Sequence, residues 1–210
     1  MVYFVGWAFF LLFFKLYLGF KVVGRHNVPD KGGFILVSNH TSYFDPILLG
    51  TALCRSLNYM ARENLFKKQC FGWIMRGVHA FPVRRHGGDL GAIKKSLELL
   101  AEGKGLVIFP EGTRAKDDNL KEAKPGVGFI VSKANVPVIP AYVGGSFKAM
   151  PRGINTLRRH PVAVYFGEPV FFDQSYCGRK DKESYQKISD EIMVRIADLK
   201  DSYESGTFSK

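Results

Sequence analysis

The stretch Phe34-Ile35-Leu36-Val37-Ser38-Asn39-His40 decides the fold. Four consecutive apolar residues read as a strand buried on both faces, the habit of parallel sheets, and the run breaks at once into polar side chains. The same punctuation recurs along the chain. Ala80-Phe81-Pro82-Val83 leads into Arg84-Arg85, and Leu106-Val107-Ile108-Phe109 leads into Pro110-Glu111-Gly112-Thr113-Arg114. Val138 to Val143 and Val162 to Phe166 read as further buried strands. Between them, Leu90, Ile93, Leu97 and Leu100 share one helical stripe, with Asp89 as N-cap and Gly103 just past the end. A second stripe runs through Tyr185, Ile188, Ile192, Ile196 and Leu199, and the polar residues from Asp201 are expected to fray. This alternation predicts an α/β fold: a mixed, largely parallel central sheet flanked by helices.

The chain has 210 residues, the length of one domain, and 46% hydrophobic composition supplies a sizeable core. No repeat, Pro-rich linker or low-complexity block divides it. The expected organisation is an N-terminal membrane-associated segment over residues 1–20, a domain over 21–201 and a flexible tail over 202–210. From Met1 to Phe14 every residue is apolar or Gly, and Leu16 to Phe20 continues the run after Lys15. Three readings fit: a spanning helix, an interfacial helix in one leaflet, or a buried core helix. Lys15, Lys21 and Arg25, placed where headgroups would lie, favour lipid. No basic residue precedes the run and no small-residue cleavage site follows it, which argues against a secretory signal.

A formal charge of +11 predicts attraction to anionic partners: phosphate-bearing substrates, lipid headgroups, acidic proteins or nucleic acid. Nucleic acid is disfavoured, since there is no zinc-finger spacing, RNP-like aromatic block or helix-turn-helix pattern. A P-loop NTPase is excluded by the missing G-x4-G-K-[ST]; Gly126-Val127-Gly128 is followed by Val131, so the dinucleotide fingerprint fails as well. Cys54, Cys70 and Cys177 are widely spaced and never form C-x-x-C, which argues against a disulfide framework, a zinc site or a thioredoxin-like centre and for a reduced, cytosol-facing protein.

Ligands of such sheets bind beyond the carboxyl ends of the strands, so the polar residues after each apolar run are the candidates. His40 is followed five residues on by Asp45, and then by Pro46 and an apolar helical run. Asp followed by Pro is a good helix start, so a plain cap is one reading of Asp45. Along a continuous helix the two side chains would diverge, so a His–Asp hydrogen bond requires His40 in the preceding loop and Asp45 at the helix mouth. A carboxylate on one imidazole nitrogen leaves the other to take a proton from a hydroxyl. Ser38, Thr41 and Ser42 stand nearby, but no G-x-S-x-G elbow presents a serine nucleophile. Arg114 offers the planar fork suited to phosphate, and Gly112 lets the backbone approach a ligand. The stretch Leu65, Phe66, Phe71, Trp73, Ile74 and Met75, flanked by Lys67, Lys68 and Arg76, reads either as a core helix or as a second lipid contact.

Four ordered blocks carry a resemblance: Asn39-His40-Thr41-Ser42-Tyr43-Phe44-Asp45, Phe81-Pro82-Val83-Arg84-Arg85, Phe109-Pro110-Glu111-Gly112-Thr113-Arg114 and Val136-Pro137-Val138-Ile139-Pro140. Together, over roughly Arg25 to Glu168, they resemble the PlsC-type glycerolipid acyltransferases. The resemblance implies that His40 is the general base and Asp45 its orienting acid. It further implies that Glu111, Gly112, Thr113 and Arg114 bind the glycerol phosphate, and that Arg62, Arg85 and Lys124 add positive charge to the same site. The second block departs from the family pattern, with His79 where Gly is common and Arg84 where an acid is common. The implied reaction transfers a fatty acyl group from a thioester of coenzyme A or acyl carrier protein to the sn-2 hydroxyl of lysophosphatidate, giving phosphatidate. It implies membrane lipids as partners, the cytoplasmic face of the membrane as its place, and neither a metal nor a cofactor.

Overall fold

A computed structural model describes residues 2–67, 69–84, 89–151, 153–154, 156–172 and 181–207. Among these, seven strands form one sheet: β1 (Lys21–Val23), β2 (Phe34–Ser38), β3 (Leu57–Arg62), β4 (Ala80–Val83), β5 (Gly105–Ile108), β6 (Val138–Gly144) and β7 (Ala163–Phe166). Their spatial order is β1-β7-β6-β2-β5-β3-β4. Every neighbouring pair is parallel except β6 and β7, so the sheet is mixed and largely parallel.

β2 lies at the centre, and its period-two alternation builds both halves of the core. Phe34 and Leu36 face one layer; Ile35 and Val37 face the other. The first layer holds α1 (Val2–Leu18) and α2 (Asp45–Ala52), through Phe14, Leu18, Leu48 and Leu49. The second holds α4 (Leu90–Ala101), α5 (Pro125–Ala134) and α7 (Lys182–Ser205), through Leu100, Ile130, Ile188 and Ile192. α3 (Gln69–Gly77) joins β3 to β4, and a short α6 (Ser146–Ala149) follows β6. Asp89 caps α4 as its sequence predicts, its Oδ1 accepting from the Ala92 N–H at 3.1 Å. Tight contact between α5 and α7 depends on Gly128: a β-carbon there would stand 1.9 Å from the Tyr185 carbonyl oxygen.

Three expectations change. α7 does not fray at Asp201 but continues to Ser205, because Tyr203 packs edgewise on Tyr165 and tilted on Tyr142. The described part of α1 does not support the spanning reading. At 17 residues it is about 25 Å long, against a hydrocarbon core of about 30 Å, and among the described residues no helix is long and apolar enough to cross a membrane. Nor is α1 a wholly buried core helix. Phe14 and Leu18 are buried, while Phe9, Leu12 and Leu16 are exposed, so one flank is core and the other faces outward.

Candidate active site

The rim formed by the carboxyl ends of β2, β5, β3 and β4 gathers the polar segments that follow each apolar run. Immediately after β2 the chain must leave the ladder without burying bare backbone groups. Asn39 does this by imitating a strand: its Oδ1 accepts the Val143 N–H at 2.7 Å and its Nδ2 donates to the Val143 carbonyl at 3.1 Å. Thr41 Oγ1 meets Ser146 Oγ at 3.0 Å, and Ser42 Oγ donates to the Met150 carbonyl at 2.8 Å. All three side chains are buried. The loop carrying His40 is therefore fastened to β6 and α6.

Asp45 is the first residue of α2 but does not cap it. Its carboxylate turns back into the loop, where Oδ2 accepts the N–H groups of Thr41 and Ser42, both at 2.7 Å, and His40 Nδ1 at 2.9 Å. This is the geometry the five-residue spacing required, with the histidine in the loop and the acid at the helix mouth. A carboxylate oxygen can only accept here, so Nδ1 carries a proton, and in the neutral ring the free lone pair is on Nε2. Asp45 is fully buried, and its three donors offset the cost of taking a carboxylate out of water. The imidazole stacks on Phe109, with ring centroids 4.1 Å apart and planes 19° from parallel.

The loop after β5 is pinned to His40 at two points. The His40 N–H donates to Glu111 Oε1 at 3.1 Å, and the His40 carbonyl accepts from the Ala115 N–H at 2.7 Å. Gly112, Thr113 and Arg114 arch between these ties and so lie beside the histidine. Gly112 has φ +66°, and a β-carbon there would stand 3.1 Å from Cδ and Cε of Lys124, whose chain crosses it. Lys124 is exposed, and its N–H donates to the Pro110 carbonyl at 2.9 Å. Glu111 faces inward rather than toward solvent. It is buried, its Oε2 has no hydrogen-bond partner among the described residues, and burial pushes its carboxyl up to about 7 against the lowering effect of the His40 N–H.

Arg114 is partly buried, and its Cζ lies 3.3 Å from the centre of the Tyr43 ring. Tyr43 comes from the His40–Asp45 loop, so the guanidinium and the imidazole are held by the same short segment. Sequence reasoning passed over Tyr43, Asn39 and Phe109 as site residues; the first two stand inside the motif that carries His40, the one signal available. Arg62 is exposed at the end of β3, on the same rim but with β5 between it and β2. None of the contacts among the described residues joins it to His40. Arg84 pairs at 3.5 Å with Glu63 in an exposed bridge, and Arg85 lies outside the described residues. Among the described residues no group of three or more His, Cys, Asp or Glu is placed to hold a metal ion.

A buried carboxylate fixing a rim histidine, with an arginine stacked beside it on an α/β sheet, is an arrangement able to move a proton next to a group able to bind an anion. The chain belongs to the Acyltransferase family, whose model matches residues 19–144. It is 28% identical over 187 residues to 1-acyl-sn-glycerol-3-phosphate acyltransferase of Bacillus subtilis (strain 168), covering 89% of this chain and 90% of that protein. The chloroplastic 1-acyl-sn-glycerol-3-phosphate acyltransferase BAT2 of Brassica napus is 31% identical over 154 residues, and there the chain spans only 44% of the plant protein. The crystal structure of the 1-acyl-sn-glycerophosphate acyltransferase PlsC of Thermotoga maritima superposes with a TM-score of 0.73 at 28% identity, covering 94% of this chain and 77% of that one.

Proposed function

We propose that this acyltransferase esterifies the sn-2 hydroxyl of 1-acyl-sn-glycerol 3-phosphate with a fatty acyl group from a coenzyme A or acyl carrier protein thioester, producing phosphatidate at a membrane surface. The observation that carries this reading is the 2.9 Å contact between His40 Nδ1 and Asp45 Oδ2, beside an arginine held over Tyr43. With Nδ1 committed, Nε2 takes the proton of the acceptor hydroxyl as its oxygen attacks the thioester carbonyl. Asp45 stabilises the imidazolium that forms. The tetrahedral adduct collapses, the carbon–sulfur bond breaks, and the proton on Nε2 passes to the departing thiolate.

Arg114 supplies a planar fork for the phosphate, with Lys124 a second positive charge across Gly112. Arg62 adds positive charge at the end of β3, and the family resemblance makes Arg85, outside the described residues, a further phosphate contact. The phosphate is held a fixed distance from the reacting hydroxyl, which makes the attack effectively intramolecular. The exposed apolar flank of α1, with Lys15, Lys21 and Arg25 near its end, supports association with one leaflet, where an acylated acceptor resides. The relatives named above carry lysophosphatidate acylation in their names, which supports the choice of acceptor.

Purified protein given labelled acyl-CoA and lysophosphatidate should form labelled phosphatidate. Product with glycerol 3-phosphate alone, or with a headgroup-bearing lysophospholipid alone, keeps the chemistry and changes the acceptor. Free fatty acid as sole product marks a hydrolase, and binding without product marks a noncatalytic lipid-binding protein.

A further inference from the structure

α3 turns an apolar face outward. Gly72 is its inward residue: a β-carbon there would stand 2.7 Å from the Phe66 carbonyl oxygen, so the helix backbone presses on the preceding turn and the next two side chains point away. Trp73 is 77% exposed, and Ile74 is exposed beside it, as is Val78 one residue past the helix, whose N–H continues the helical turn by donating to the Ile74 carbonyl at 3.1 Å. Positions 73, 74, 77 and 78 share one side of a helix, so these three residues form a single patch. Isolated apolar residues on a surface are ordinary, but an exposed Trp with two aliphatic neighbours on one short helix marks an interaction site.

The charge around the patch identifies its partner. Lys67, just before α3, and Arg76, in its last turn, are both exposed, with the Arg76 guanidinium 5.9 Å from the Phe66 ring. The chain as a whole carries +11. Trp with cations at its margin is the composition of a membrane interface, where the indole sits at headgroup depth and the cations meet phosphates. The topology agrees. β2 to β3 and β3 to β4 advance in the same direction across the sheet, so right-handed crossovers put α2 and α3 on the same face. α1 lies on α2 in that layer: Trp7 Nε1 donates to the Thr51 carbonyl at 3.0 Å, and Phe14 meets Phe44 edge-on. Phe9, Leu12 and Leu16 of α1, Ile47 of α2 and Trp73 of α3 are thus exposed on one layer of the molecule.

We infer that α3 is a second lipid-contacting element, distinct from α1, which seats Trp73, Ile74 and Val78 in the interface of an anionic bilayer while Lys67 and Arg76 engage headgroup phosphates. This rests on the membrane association proposed above. Two contacts on either side of α2 fix the tilt of the domain, whereas α1 alone would leave it free to roll.

The 210-residue chain has two tryptophans, so Trp7→Phe in it leaves Trp73 as its sole indole. On phosphatidylglycerol vesicles its emission should move to shorter wavelength and be quenched by brominated acyl chains, with weaker effects on phosphatidylcholine and at high salt. Replacing Trp73 and Ile74 together by Ser should weaken vesicle binding about tenfold or more, with unchanged turnover of a short-chain, water-soluble acceptor. Co-sedimentation with Trp73 unquenched would overturn the α3 contact and leave membrane association standing. No co-sedimentation would overturn both. A lipid-independent dimer lost in the Ser variant would overturn the proposal in favour of a protein interface. If Trp7→Phe does not fold, the difference in quenching between the parent protein and Trp73→Phe gives the same readout.

Discussion

The Arg114 guanidinium lies 3.3 Å from the centre of the Tyr43 ring, so a residue two positions before the dyad carboxylate sets where the proposed phosphate fork stands. Such cation–π contacts contribute roughly 0.5–2 kcal/mol. Tyr43→Ala should raise the KM for lysophosphatidate by about 2- to 30-fold with little change in kcat, and Tyr43→Phe should restore it. A fall in kcat at constant KM would show instead that the ring supports the imidazole.

His40→Ala should lower kcat by about 10²- to 10⁴-fold while circular dichroism stays unchanged, since the His40 ring is not part of either core cluster. Asp45→Asn is expected to be worse for the fold. Its Oδ2 takes three donors, so an amide must either turn its nitrogen on the N–H groups of Thr41 and Ser42 or bury it at the Oδ1 position, which has no hydrogen-bond partner among the described residues. Thermal unfolding alongside steady-state kinetics separates the two effects.

Glu111 predicts a pH dependence of stability. Its carboxyl is raised from 4.5 to about 7, chiefly by burial. A folded-state value above the unfolded one means that the neutral acid is favoured in the native protein. The contribution is fully present below about pH 4.5 and is lost as pH rises through about 7, a change on the order of 3 kcal/mol. Glu111→Gln keeps an oxygen for the His40 N–H and cannot ionise. Urea unfolding across this interval should show a falling stability for the parent protein and a flatter line for the variant.

Gly128→Ala tests the close contact of α5 with α7. The added carbon would stand 1.9 Å from a backbone oxygen, which no side-chain rotation can relieve. Overpacking of this kind costs about 1–3 kcal/mol. A denaturant midpoint equal to that of the parent would show that the helices separate freely.

Much of the architecture can be read along the chain because its signals are local. The run Phe34–Val37 announces a doubly buried strand, and the Leu90–Leu100 stripe with Asp89 and Gly103 marks a helix at both ends. Other elements carry weaker signals. β3 (Leu57–Arg62) interleaves Asn58 and Arg62 with apolar residues, and β1 is only three residues long, a strand by virtue of pairing with β7. α1 illustrates the limit: its composition announces an apolar helix, but which flank enters the core depends on where α2 and Phe44 lie.

Short-range pattern was enough for the α/β class, the order of the polar rims and the pairing of His40 with Asp45, because helix caps, strand period and a five-residue loop are properties of contiguous residues. It did not reach the stacking of Arg114 on Tyr43, the inward turn of Glu111 or the outward face of α3. Those arise where segments far apart in the chain cross, and the free energy that orients each side chain comes from neighbours that only the folded packing brings to it.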